Sequence, residues 1–164
     1  MSAGGPKVTV QVPVRIDDLT PAMHVGNASV VRILEEGRAL FLGHPDGARR
    51  GFHGGLLEVL DGRIEMLIAQ QTIEYVDEIF YAVDPLHITY WLGHLGTSSA
   101  TVCMEVYRED PAAGTGPVVR AEAVMVLIDP QTGRPWPMDE TVRTRFAAHL
   151  DTPVALRPRP GTGA

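Results

Sequence analysis

One amphipathic helix pattern has to serve a chain that otherwise reads almost entirely as strands. Residues 28–42 place Val30, Leu34, Gly37 and Phe41 on one stripe flanked by Ile33 and Leu40, with Arg32, Glu35 and Glu36 opposite. Ahead of it, "KVTVQVPVRI" alternates apolar and polar residues as a strand does, with Pro13 marking an edge or bulge. Behind it come "RIEMLIAQQTIEYV", "LHITYWLGHLG", "SATVCMEVYRE" and "VVRAEAVMVLID", separated by "VDP", "LGTS" and "DPAAGTGP" turns. The last two of these read as an antiparallel hairpin. Residues 43–62 read as a loop with one helical turn near Leu56 to Leu60. "DPQTGRPWP" ends the sheet, and "DETVRTRFAAHL" is a short final helix with Asp139 as its N-cap.

A single long helix covers one face of such a sheet, which defines an α+β layer architecture. The other face, or an edge strand, then needs a partner, so homo-oligomerisation follows as an expectation. The domain spans 8–150, between an N-terminal tail, 1–7, and a flexible C-terminal tail, 151–164. Gly37 costs ~1 kcal/mol of helix propensity, and its place in the apolar stripe predicts close approach of another backbone.

The bulk properties restrict the partners. With 164 residues the chain builds one domain with a sizeable core. A net charge of −6 with no basic run gives no footprint for nucleic acid. One cysteine, Cys103, excludes an intramolecular disulfide and a cysteine-cluster metal site, and its apolar strand reads it as a buried small hydrophobe. No apolar run spans a membrane and "MSAGGPK" lacks the apolar core of a secretion signal; the expected location is the cytoplasm. His44, His53, His87 and His94 lack metal-ligand spacing. There is no phosphate loop and no G-x-S-x-G elbow. No metal site is expected from the histidine spacing.

The polar residues collect just before the helix, in "DDLTPAMHVGNA" (17–28). A helix start offers unpaired N–H groups and the positive dipole end, which can hold an oxyanion. Asn27 reads as the N-cap of a helix opening at Ala28, and Gly26 admits a ligand close to the backbone. Asp18, Thr20 and His24 can activate water or position a substrate; equally, they serve as ordinary turn and cap residues.

"R.DD..P..HVGNA", with a helix ending "LEEGR..FL", resembles the opening of the 4-hydroxybenzoyl-CoA thioesterase-like branch of the hotdog acyl-CoA thioesterases. "IEYVDEIFYAVDPLHITYWLGHLGTSS" and "VVRAEAVMVLIDPQTGRPWPM" resemble its later strands, so the likeness runs over roughly residues 8 to 147. It implies a hotdog fold, a long central helix wrapped by an antiparallel sheet. It also implies homodimers joined edge to edge, in some cases paired again into tetramers, with sites at the interface. The implied reaction is hydrolysis of an acyl-CoA or acyl-carrier-protein thioester with no metal or organic cofactor, its carbonyl polarised near Asn27. Asp18 matches the first acid of the family's Asp-x-Asp, but Thr20 stands where the second, often catalytic, acid falls. Gly26 replaces the usual first Asn and Val30 the usual aromatic. Asp18, Thr20, His24 and Asn27 are the candidate catalytic residues, with Thr20 orienting a water for Asp18 or His24 as the base, or a carboxylate from elsewhere in that role. Gly26, Ala28, Arg38, Ser98 and Ser99 are expected to bind substrate, with Arg38 also a candidate anchor for Asp18 or the opening loop. Glu36 and Glu58 are distant candidate bases. "FHGG" (52–55) resembles the helix opening of another hotdog branch, with His53 and Glu58 as its reactive groups; a loop or pocket-rim role fits its position better. A hotdog dehydratase or hydratase, and a thioester-binding protein with weak turnover, are the rival readings.

Overall fold

The computed structural model describes residues 6–44, 55–60 and 62–158. The chain runs β1 (Val8–Val12), α1 (Asn27–Leu42), a 3-10 turn at Leu56–Leu60, then β2 (Glu65–Tyr75), β3 (Leu86–Leu95), β4 (Ser99–Tyr107) and β5 (Val119–Asp129). A two-residue strand β6 (Arg134–Pro135) and the helix α2 (Glu140–Ala147) follow. The sheet order is β1-β3-β4-β5-β2, antiparallel at every pairing, with β6 added to β5. The Asp139 side chain caps α2 by accepting from the Val142 N–H at 2.9 Å.

Strand alternation decides which face meets the helix. On β5, Val119, Ala121, Ala123, Met125 and Leu127 are fully buried. Ile88, Tyr90 and Leu92 of β3 and Val102 and Met104 of β4 join them in one core with Val30, Ile33, Leu34 and Phe41 of α1. Leu40, expected to flank the apolar stripe, is 48% exposed. Gly37 does meet a neighbour, but a ring rather than a backbone. A Cβ there would lie 3.0 Å from Tyr90 Cζ and closer still to its hydroxyl. That hydroxyl donates to the Leu34 carbonyl at 2.8 Å. Gly37→Ala is therefore expected to destabilise the fold by about 1–3 kcal/mol through overpacking, against a helix-propensity gain of ~1 kcal/mol. Urea unfolding with an unchanged m-value checks this.

The C-terminal segment departs from the expected tail. Residues 151–158 cross the outer face of the sheet. The Thr152 carbonyl accepts from Trp91 Nε1 at 2.8 Å. The Val154 amide donates to Cys103 Sγ at 3.4 Å, and Arg157 holds Glu74 through its amide at 2.8 Å and its Nε at 3.1 Å. Trp91, Cys103 and Val154 form a second small cluster there, so this chain itself covers part of the face expected to need a partner. Cys103 is fully buried, as its strand pattern implies, and burial raises its thiol pKa. β2 ends the sheet on one side, with no further strand beyond it among the described residues. No helix among the described residues is long and apolar enough to cross a membrane.

Candidate active site

The loop between β1 and α1 folds back on itself. The Thr20 amide donates to the His24 carbonyl at 2.8 Å and the Gly26 amide to the Asp18 carbonyl at 2.9 Å, with Met23 at φ 64° in the turn. Leu19, Val25 and Ile79 turn towards the core side, Val25 and Ile79 being buried. A second backbone contact fixes the loop from outside: the Val25 amide donates to the Ile79 carbonyl at 2.7 Å, and His24 pairs with Phe80 as an antiparallel bridge.

This geometry moves the helix start by one residue. Gly26, extended at φ −71° and ψ 153°, is the N-cap, and Asn27 is the first helical residue rather than the cap. The reason is the Asp18–Gly26 backbone bond, which holds Gly26 in the loop, while the Val30 amide closes the first turn on the Gly26 carbonyl at 3.0 Å. No side chain among the described residues caps this end. The N–H groups of Asn27, Ala28 and Ser29 thus form an open donor set at the positive end of a 16-residue helix.

Asp18 underlies the loop. It is 5% exposed, and its carboxylate accepts from Arg32 Nε at 3.0 Å, Arg32 Nη2 at 2.6 Å and the Arg15 amide at 2.8 Å. Burial works to raise its pKa. The Arg32 and Arg15 hydrogen bonds, with the Arg32 charge, outweigh it and hold the carboxyl below the usual carboxylate range. Arg32 also pairs with Glu36, whose other oxygen lies 3.8 Å from Arg15. Arg32, read from the sequence as a surface charge, is therefore the anchor expected of Arg38. Arg38 instead is buried 11 positions further along α1, about 16 Å from its start. It donates to Gln71 at 3.1 Å, and burial lowers its pKa.

A cleft of about 410 Å³ opens beside the uncapped helix start. Its wall comprises His24, Val25, Asn27 and Val30, the segment Tyr75 to Ile79, and Val119. Of the expected residues, His24 and Asn27 line it and Gly26 and Ala28 lie alongside. Thr20 is not part of the wall; its hydroxyl is buried and, among the described residues, has no hydrogen-bond partner. Ser98 and Ser99 are not brought here. Ser99 pairs with Val126, seven residues along β5 from Val119, roughly 23 Å away. Glu36 is tied to Arg32 outside the cleft, and Glu58 is in the 3-10 turn, also outside its wall. His53 and Gly54 lie outside the described residues. The segment 75–79 was missed because it is far from the loop in sequence and lacks any motif of its own. Among the described residues no three His, Cys, Asp or Glu side chains gather as a metal-ligand set.

A long helix gripped by a curled antiparallel sheet, with a cleft at the helix start, is the hotdog architecture. The family model of the thioesterase-like superfamily matches residues 14–146, and the chain belongs to that family. It is a thioester hydrolase by class. Solved structures agree on the fold. The chain is similar to a predicted thioesterase from Bacillus stearothermophilus (TM-score 0.70, 20% identity, 90% of this chain and 99% of that one). It is also similar to a thioesterase complexed with coenzyme A and Zn from Thermus thermophilus (TM-score 0.65, 24% identity, 90% and 97%). A 12:0-ACP thioesterase from Umbellularia californica is similar at TM-score 0.70 and 16% identity over 96% of this chain and 58% of that one. No curated protein matches the chain in overall sequence.

Proposed function

We propose that the cleft beside α1 hydrolyses an acyl-CoA or acyl-carrier-protein thioester with its carbonyl seated on the first turn of the helix. The observation that carries this is the uncapped start of α1 opening into a cleft of suitable size. The oxygen of the thioester gains negative charge as water adds. Preorganised N–H groups at Asn27 and Ala28 then stabilise the transition state more than the ground state. Val30, Val76 and Val119 give the acyl group an apolar wall. Asp18 acts by holding the loop and helix start in register, not by touching substrate; its lone pairs are already engaged by Arg32 and Arg15. His24 lies on the substrate side of the wall. One similar structure is complexed with coenzyme A and another is a 12:0-ACP thioesterase, which supports either thiol as the leaving group.

A homodimer is part of this reading. β2 is an 11-residue edge strand, and Leu67, Tyr75, Phe80, Tyr81 and Val83 along it and just beyond are exposed, Val83 to 90%. An open edge with apolar side chains favours pairing with a second copy. Sedimentation equilibrium is expected to give a particle of at least twice 17.8 kDa; a monomer at micromolar concentration would contradict the pairing. The reaction itself is tested by free-thiol release from short, medium, long and aromatic acyl-CoAs and from acyl-carrier-proteins. Chain-dependent turnover is expected, and no turnover on any of them would contradict the reading.

A further inference from the structure

We infer that Glu78 is the carboxylate that takes the proton from the attacking water; this rests on the proposed hydrolysis at the start of α1. Addition of water to a thioester needs a base within reach of the carbonyl. Among the described residues the cleft wall offers His24, Tyr75, Asp77 and Glu78 as titratable groups. Burial raises the Tyr75 phenol, which keeps its proton. Asp77 accepts from Arg108 Nη2 at 2.7 Å, and that hydrogen bond holds its carboxyl below the usual range. Arg108 also binds the Glu78 carbonyl, and the Glu78 amide donates to Asp77 at 2.8 Å. The backbone at 77–78 is thereby pinned, while the Glu78 carboxylate has no ion pair or side-chain hydrogen bond among the described residues. Of the two acids in the loop, Asp18 is engaged by Arg32, and neither it nor Asp17 is part of the wall.

Register places Glu78 where the chemistry needs it. His24 pairs with Phe80, and the Val25 amide bonds the Ile79 carbonyl. Continuing that antiparallel register by one step sets Glu78 opposite Gly26, the N-cap of α1. Residues two apart share a face of an extended segment, so Glu78 lies on the face that carries His24 and Phe80, opposite the inward Val25 and Ile79. Glu78 and Asn27 line the same cleft, so a carboxylate there shares the space in which the Asn27 and Ala28 N–H groups receive the carbonyl oxygen. In the reaction the water oxygen bonds to the thioester carbon as one water proton passes to Glu78. The tetrahedral intermediate then collapses with cleavage of the C–S bond. The proton on Glu78 passes to the departing thiolate, leaving a carboxylic acid, a thiol and Glu78 ionised as before.

Glu78 is exposed, so Glu78→Gln should fold with an unchanged melting temperature. Its kcat for hydrolysis of the best acyl-CoA is expected to fall about 100-fold or more, the range of general-base catalysis, with KM within about threefold. Hydroxylamine attacks without a general base, so acyl-hydroxamate formation by Glu78→Gln should stay within about threefold of wild type. His24→Gln should retain more hydrolysis than Glu78→Gln. Hydrolysis within threefold of wild type in Glu78→Gln, or parallel loss of hydrolysis and hydroxamate formation, would overturn the assignment. So would a greater loss in His24→Gln. A wild type that forms neither acid nor hydroxamate would remove the reading of the site itself, and the assignment with it.

Discussion

Asn27→Asp is expected to lower kcat about 100-fold or more while leaving the protein at least as stable. The two effects have opposite signs for one physical reason. Asn27 is the first residue of α1, and no side chain among the described residues caps that end. A carboxylate there meets the positive end of the helix dipole and stabilises the folded state by about 0.3–1 kcal/mol. The same charge occupies the field meant for the thioester oxygen. Loss of a single oxyanion donor costs about 10²–10³ in kcat, and a like charge beside the oxyanion is at least as damaging. Steady-state thiol release and a thermal melt on the same preparation check both halves. Unchanged turnover would remove the helix start from the mechanism.

Asp18→Asn is expected to act through the fold first. The substitution keeps the size of the side chain but removes the charge that Arg32 and the Arg15 amide bind. Hydrogen bonds to a charged group contribute about 1.5–3 kcal/mol, and the part-exposed Arg32 argues for the lower end. A loss of about 2 kcal/mol corresponds to roughly 4–8 °C in Tm for a chain of this size. The folded carboxyl titrates below its unfolded value of about 3.9. Its contribution is therefore complete above that pH and is lost as pH falls through the folded value. The Tm gap between wild type and Asp18→Asn should hold constant from about pH 5 to 8 and close below about pH 4. Turnover should fall as well, since the Asp18 carbonyl is what holds Gly26 at the helix start. A variant with unchanged Tm would mean that the clamp contributes nothing.

Strands β1 to β5 and both helices were legible because their periods differ, while β6 lies in the segment read as the turn that ends the sheet. Alternation on β5 puts Val119, Ala121, Ala123, Met125 and Leu127 on one face whatever the surroundings. The apolar stripe of α1 needs only its own spacing. What escaped the sequence depends on contacts between distant residues. Gly37 signalled a close neighbour, but nothing local names Tyr90 as that neighbour. Arg32 and Arg38 look alike on a helix wheel; only the path of the loop decides that Arg32 meets Asp18 and Arg38 meets Gln71. The N-cap fell on Gly26 rather than Asn27 because a backbone bond to Asp18 overrides the side-chain preference for Asn. The far wall of the cleft, Tyr75 to Ile79, reaches the helix start through tertiary pairing alone. Ser98 and Ser99, expected to bind substrate, lie seven residues along β5 from the cleft. The outer face was expected to await a partner, yet residues 151–158 cover part of it. Their irregular backbone has no periodicity to read.

The most direct test of the central claim is where a substrate mimic binds. We would record amide chemical-shift changes on titrating a non-hydrolysable thioether analogue of the best acyl-CoA. The largest shifts are expected at Asn27, Ala28 and Ser29, with smaller ones at His24 and across Tyr75 to Ile79. Shifts centred on the Ser98–Ser99 turn, with the first turn of α1 unmoved, would contradict the account.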